Sequence, residues 1–163
     1  MQLLIVRHGA AVERGTQGVS EEARPLTPEG EKKFRKAAQG LTRLLEPPTA
    51  ILTSPLVRAR QTAALAAEAW SQPAPKTLDA LAEGSVEDVL AAVAHFPAAA
   101  TVALFGHEPQ VSALLARLLG ASDSERLAFK KGGAALVEIE GGAVEVGRLV
   151  WFLPPGALRD LAG

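Results

Sequence analysis

The sequence predicts a three-layer α/β sandwich, a mostly parallel central sheet flanked by helices. Three observations carry this. Short apolar runs at 2–6 (QLLIV), 49–54 (TAILTS) and 101–105 (TVALF) alternate with stretches whose apolar residues recur at helical spacing. Apolar residues make up 48% of the 163-residue chain and aromatics only 4%, so a core is affordable and must be aliphatic. No internal repeat, low-complexity segment or linker interrupts the pattern, so 1–163 reads as a single domain.

The elements follow in order. Residues 9–24 are polar and glycine-containing and read as a loop. Thr27 suits an N-cap, Pro28 the first helical position and Glu29 the first turn. Phe34, Ala37, Leu41, Leu44 and Leu45 continue at helical spacing until Glu46-Pro47-Pro48 stops the helix. After the 49–54 strand, the Ala-rich run 55–70 predicts a helix and 75–78 a short strand. Ser85 and Asp88 form a capping-box pattern ahead of the helix face Val86, Val89, Leu90 and Val93. Beyond the 101–105 strand, Pro109 opens a helix to Leu119 with Val111, Leu114, Leu115 and Leu118 inward. Residues 134–152 predict a hairpin around Gly141–Gly142, and 154–163 a loose tail.

The formal net charge of −1 gives no global pull toward nucleic acid or an anionic membrane, so any anion preference must be local. With no cysteine, disulfides, thiolate metal sites and a Cys nucleophile are excluded. The N-terminal MQLLIVRHG lacks a basic lead and a long apolar run, which predicts neither a signal peptide nor a membrane span. The expected location is cytoplasmic.

In parallel α/β sheets, ligands sit beyond the carboxyl ends of the strands. The first strand runs into Arg7, His8 and Gly9; the second into SPLVRARQT, with Arg58 and Arg60; the third into Gly106, His107, Glu108 and Pro109. Taken singly, each histidine reads equally as a core-edge residue, Arg7 as an ion-pair partner, and Arg58 and Arg60 as a solvated helix face. Their convergence on one sheet edge is what points to a site. His95, near a helix end before Phe96-Pro97, is given no role. There is no G-x-S-x-G and no phosphate-binding G-x-x-x-x-G-K-[ST]. HEPQV breaks the zinc pattern H-E-x-x-H at Val111, and no carboxylate cluster has ligand spacing, so neither metal nor cofactor is expected. What remains is an anion site containing imidazoles. Arginine suits phosphate oxygens. A neutral imidazole can attack phosphorus and carry it as phosphohistidine, while a second histidine donates to the phosphoryl oxygens.

LLIVRHGA resembles the R-H-G signature of the histidine phosphatase superfamily, with its phosphoglycerate-mutase-like fold. RPLTPEG, ILTSPLVRARQTA and LFGHEP follow in that family's order and approximate spacing, over about residues 1–120. The resemblance implies that His8 is the phosphorylated nucleophile, and that Arg7, Gly9, Arg58 and His107 complete the phosphate pocket. Small size and the compact RPLT connection resemble the bacterial phosphohistidine phosphatases, which act on phosphohistidine in phosphorelay domains. The implied partner is therefore a phosphorylated protein, with a small phosphorylated metabolite as the alternative. Two positions depart from the family: where many members carry Thr and Asn after R-H-G, this chain has Ala11 and Arg14. Many members also carry a glutamate as general acid. Glu83 in LDALAEGSVED lies in the corresponding segment but reads equally as a loop residue leading into a capped helix; Glu13 and Glu108 are further carboxylates. A phosphoramidate leaving group needs a dedicated acid less than an alkoxide does. The expectation is thus a metal-independent phosphatase acting on protein phosphohistidine. A small-molecule phosphomonoesterase is the nearest alternative, and a non-catalytic phosphate-binding module the second.

Overall fold

The computed structural model describes residues 1–140 and 146–163. Six strands form one sheet: β1 (Gln2–Arg7), β2 (Ala50–Thr53), β3 (Lys76–Thr77), β4 (Thr101–Gly106), β5 (Ala134–Ile139) and β6 (Gly147–Leu153). Their spatial order is β3-β2-β4-β1-β5-β6. β1, β4, β2 and β3 run parallel, whereas β5 pairs antiparallel with the far side of β1 and β6 antiparallel with β5. The 134–152 hairpin is therefore present as a strand pair; its Gly141–Gly142 turn lies outside the described residues.

Helices cover both faces: α1 (Pro28–Leu44), α2 (Val57–Ala69), α3 (Ala80–Glu83), α4 (Val86–Val93), α5 (Gln110–Leu119) and α6 (Pro155–Leu161). The alternation of side chains along β1 assigns the layers. Leu4 and Val6 pack with Phe34 and Leu41 of α1, Ala63 of α2 and Leu158 of α6. Leu3 and Ile5 pack with Leu81 of α3, Val89 of α4 and Leu114 of α5. Every one of these side chains is almost fully buried, as a strand covered on both faces requires.

The helix starts form as their local chemistry dictates. Thr27 Oγ1 accepts from Gly30 N at 2.9 Å, and Ser85 and Asp88 make a reciprocal capping box. α5 ends in Gly120, which takes the left-handed conformation at φ +66°. The expected loose tail is instead α6. Leu158 is completely buried against α1, and Gly40 is what allows the approach, since a Cβ there would collide with the Leu158 carbonyl. The correction has a physical cause: α6 is too short to be stable alone and is held by packing, a term the local sequence does not carry.

Candidate active site

The carboxyl ends of three adjacent strands, β2, β4 and β1, meet at one edge. They deliver Ser54, His107 and His8 respectively. The backbone holds these ends firmly. His8 N donates to Gly106 O (3.0 Å), and Gly132 N reaches both Arg7 O (3.1 Å) and His8 O (2.9 Å).

A cavity of about 310 Å³ opens here, lined by Arg7, His8, Arg14, Arg24, Arg58 and His107, with Ala11, Glu13, Glu108 and Lys131 at its walls. His8 is buried, 6% exposed. Its Nδ1 lies 2.7 Å from Gly9 O. A carbonyl only accepts, so Nδ1 carries the hydrogen and Nε2 keeps its lone pair. The His107 ring lies 5.1 Å from it, centroid to centroid. His107 Nε2 is 2.6 Å from Ser54 Oγ. If the hydroxyl donates, Nδ1 is left as an N–H, and that atom is buried without a partner.

The arginines share this condition. Arg7 Nη1 donates to Phe129 O (2.6 Å). Arg58 donates through Nη1 to Glu21 O (2.9 Å) and through Nη2 to Glu21 Oε1 (3.1 Å). Arg24 donates to Val12 O (2.9 Å) and Glu21 Oε1 (2.8 Å). In all three the Nε atom is buried with no partner. Such orphans are rare in folded proteins, and the four side chains that carry them all line this cavity. Burial first, and then the neighbouring cations, push His8 down to about 3 and His107 to about 4, so both rings are neutral at pH 7. An arginine-lined cavity holding neutral imidazoles has the chemistry to accept a tetrahedral oxyanion beside a ring nitrogen that keeps its lone pair.

The structure brings Arg7, His8, Arg58 and His107 together. Gly9, expected in the phosphate pocket, does not line this cavity, and its N–H already donates to Thr62 Oγ1 at 3.0 Å. Glu83, at the end of α3, is exposed and does not line the cavity. Glu13 and Glu108 do line it. Glu108 is already engaged, accepting from Ser112 Oγ (2.6 Å) and Phe129 N (3.1 Å). Arg60 is exposed and lines a separate cavity of about 420 Å³ with Gln61, Thr53 and Thr77, which holds neither histidine. His95 is exposed and bonded to Ala91 O. Sequence reasoning missed Arg24, Ser54 and Lys131. Arg24 opens the RPLT segment, which was read as a helix lead-in and a family-like connection, with no role given to its arginine. Among the described residues, no group of three or more His, Asp or Glu side chains is placed to hold a metal ion.

Known proteins bear on this geometry. An uncharacterized protein of Picosynechococcus sp. is 35% identical over 90% of this chain and 88% of its own. The protein histidine phosphatase SixA, solved with tungstate, is 28% identical and superposes with a TM-score of 0.83 over 97% of this chain and 99% of that one. A mycobacterial glucosyl-3-phosphoglycerate phosphatase shares the fold at a TM-score of 0.75 and 18% identity, over 94% of this chain and 98% of that one. The model of the histidine phosphatase superfamily, branch 1, matches residues 3–89, the span from β1 into α4 that supplies His8, Arg24 and Arg58. The chain is a phosphatase and belongs to the histidine phosphatase superfamily.

Proposed function

We propose that the protein hydrolyses phosphohistidine on a partner protein through a phospho-His8 intermediate. The observation that carries the mechanism is the His8 ring: Nδ1–H is tied to Gly9 O, and Nε2 keeps its lone pair in a cavity lined by Arg7, Arg24, Arg58 and His107. The phosphoryl group docks on the Nε edges of Arg7 and Arg58 and on His107 Nδ1–H. His8 Nε2 attacks phosphorus, the P–N bond of the substrate breaks, and the departing imidazole takes a proton from solvent. Water then attacks phospho-His8, which releases inorganic phosphate and restores neutral His8. The arginines stabilise the equatorial oxygens as charge shifts, the main contribution a protein makes to phosphoryl transfer.

The likeness to SixA supports the substrate class. So does the carboxylate inventory: Glu83 is outside the cavity and Glu108 is engaged, which suits a leaving group that needs little acid help. One observation favours a small-molecule phosphomonoesterase: Glu13 lines the cavity, and an alkoxide leaving group calls for a carboxyl acid.

The test has two arms. Turnover of a phosphohistidine peptide beside alkyl phosphates should favour the peptide; the reverse order would establish the ester phosphatase. Quenching into alkali, where a phosphoramidate survives, should trap label on His8 and none in His8→Ala. Label on His107 or His95 alone would overturn the assignment. Activity should persist in EDTA.

A further inference from the structure

Behind the arginines lies one carboxylate that does not itself line the cavity. Glu21 sits on the connection between β1 and α1. Its Oε1 accepts from Arg24 Nη2 (2.8 Å), Arg58 Nη2 (3.1 Å) and Arg14 Nη2 (3.3 Å), while its main-chain carbonyl accepts from Arg58 Nη1 (2.9 Å). Both terminal nitrogens of Arg58 therefore end on this single residue. A planar guanidinium held at two corners has one edge left, and for Arg58 that edge is the buried, partnerless Nε. Arg24 is held alike, between Val12 O and Glu21, with its Nε left over. The neighbouring residue pins the segment, since Glu22 O accepts from Val57 N at the start of α2.

We propose that Glu21 is a positioning residue. It fixes the guanidiniums of Arg58 and Arg24 at the wall of the cavity, and its charge tempers the pocket so that product phosphate leaves.

Two physical effects are joined here. Three guanidinium groups brought this close repel one another, and a shared carboxylate is what makes the arrangement tolerable. The hydrogen bond from Arg24, with the charges of Arg24, Arg58 and Arg14, keeps the Glu21 carboxyl below the usual carboxylate range, so it stays ionised at any working pH. Orientation of the arginines governs transition-state stabilisation. Net charge governs how tightly a free phosphate dianion is retained. Glu21 controls both, and substitution can separate them.

The proposal rests on the reading of the His8 cavity as the phosphatase centre, and the experiment keeps the two apart by measuring inorganic phosphate binding by calorimetry beside turnover. Glu21→Gln keeps the length and one carbonyl acceptor but loses the charge. It should bind inorganic phosphate roughly three- to tenfold more tightly, with stronger product inhibition and a modest loss of kcat. Glu21→Ala releases the arginines and should lower kcat/KM roughly 10- to 100-fold. Glu21→Asp, with the charge kept, should restore part of that loss and leave phosphate affinity near wild type. Unfolding curves identify any variant that has lost its fold, in which case the glutamine variant carries the decision. A Glu21→Gln protein with unchanged phosphate affinity, or a folded Glu21→Ala protein with wild-type kinetics, would overturn the proposal. A wild-type protein that neither binds phosphate nor turns over any phosphoryl substrate would overturn the phosphatase centre instead.

Discussion

A protonated imidazole cannot attack phosphorus, and an exposed histidine at neutral pH is partly protonated. In the proposed mechanism burial removes that obstacle at His8, and the Gly9 carbonyl chooses which nitrogen is free. The arginines then have different duties. Arg7→Ala and Arg58→Ala should each cost at least about 2–4 kcal/mol in transition-state stabilisation, read from kcat/KM, because each removes an oriented donor from a buried site. Arg60→Ala, whose side chain is exposed on the neighbouring cavity, should cost far less. Equal losses at Arg58 and Arg60 would show that the α2 register has been misjudged. Glu83, one of the carboxylates offered as an acid, is tested in the same way. Glu83→Gln should leave alkyl phosphate and p-nitrophenyl phosphate hydrolysis alike, since the residue stands outside the cavity. A collapse confined to alkyl phosphates would make Glu83 the proton donor and move the substrate class to esters. At this scale His8 and His107 were legible because each follows directly on a strand that the apolar pattern reveals, and Arg58 because it opens the helix after another such strand. Arg24, Ser54 and Glu21 were not. Arg24 and Glu21 belong to a loop whose path is set by tertiary contacts, and Ser54 gains meaning only from its hydrogen bond to His107.

Helix caps and helix faces are local matters, and here the sequence was a good guide: Thr27, Ser85 and Asp88 cap as their types predict. The misread element was α6. Pro154, Pro155 and Gly156 punctuate its start, and its few residues show too little periodicity to register. Its stability comes from Leu158 entering the surface that Gly40 leaves open. Leu158→Ala should therefore cost about 2–5 kcal/mol, seen as a lower urea midpoint with unchanged slope. An effect below about 1 kcal/mol would mean that α6 is ornamental to the fold. The order of the strands was also beyond local reading. Nothing in the apolar runs says that β4 lies between β1 and β2, and that insertion is what places His107 beside His8.

For the whole molecule, two neutral buried histidines tie stability to acidity. Both are held below 6.5 in the fold, to about 3 and about 4, so between those values and 6.5 the unfolded chain binds more protons than the folded one. Stability contributed by the neutral rings is thus complete above 6.5 and is lost as pH falls through that window. The urea midpoint should drop between pH 7 and pH 5, above the range where most carboxylates titrate, and His8→Ala should reduce the slope by about half. A midpoint that is flat over this interval would mean that the rings are solvated.

The unmatched N–H edges have a consequence for the heat-stability of the protein's liganded and covalent states. Cations that face one another across a cavity repel, and a bound oxyanion, or the proposed phosphoryl group on His8, would supply the opposite charge. A ligand at about 100 times its dissociation constant adds roughly 2.7 kcal/mol to the native state. Melting curves recorded against a panel of phosphorylated compounds would then rank them by fit, so the protein's own thermometer can point to its substrate before any product is assayed.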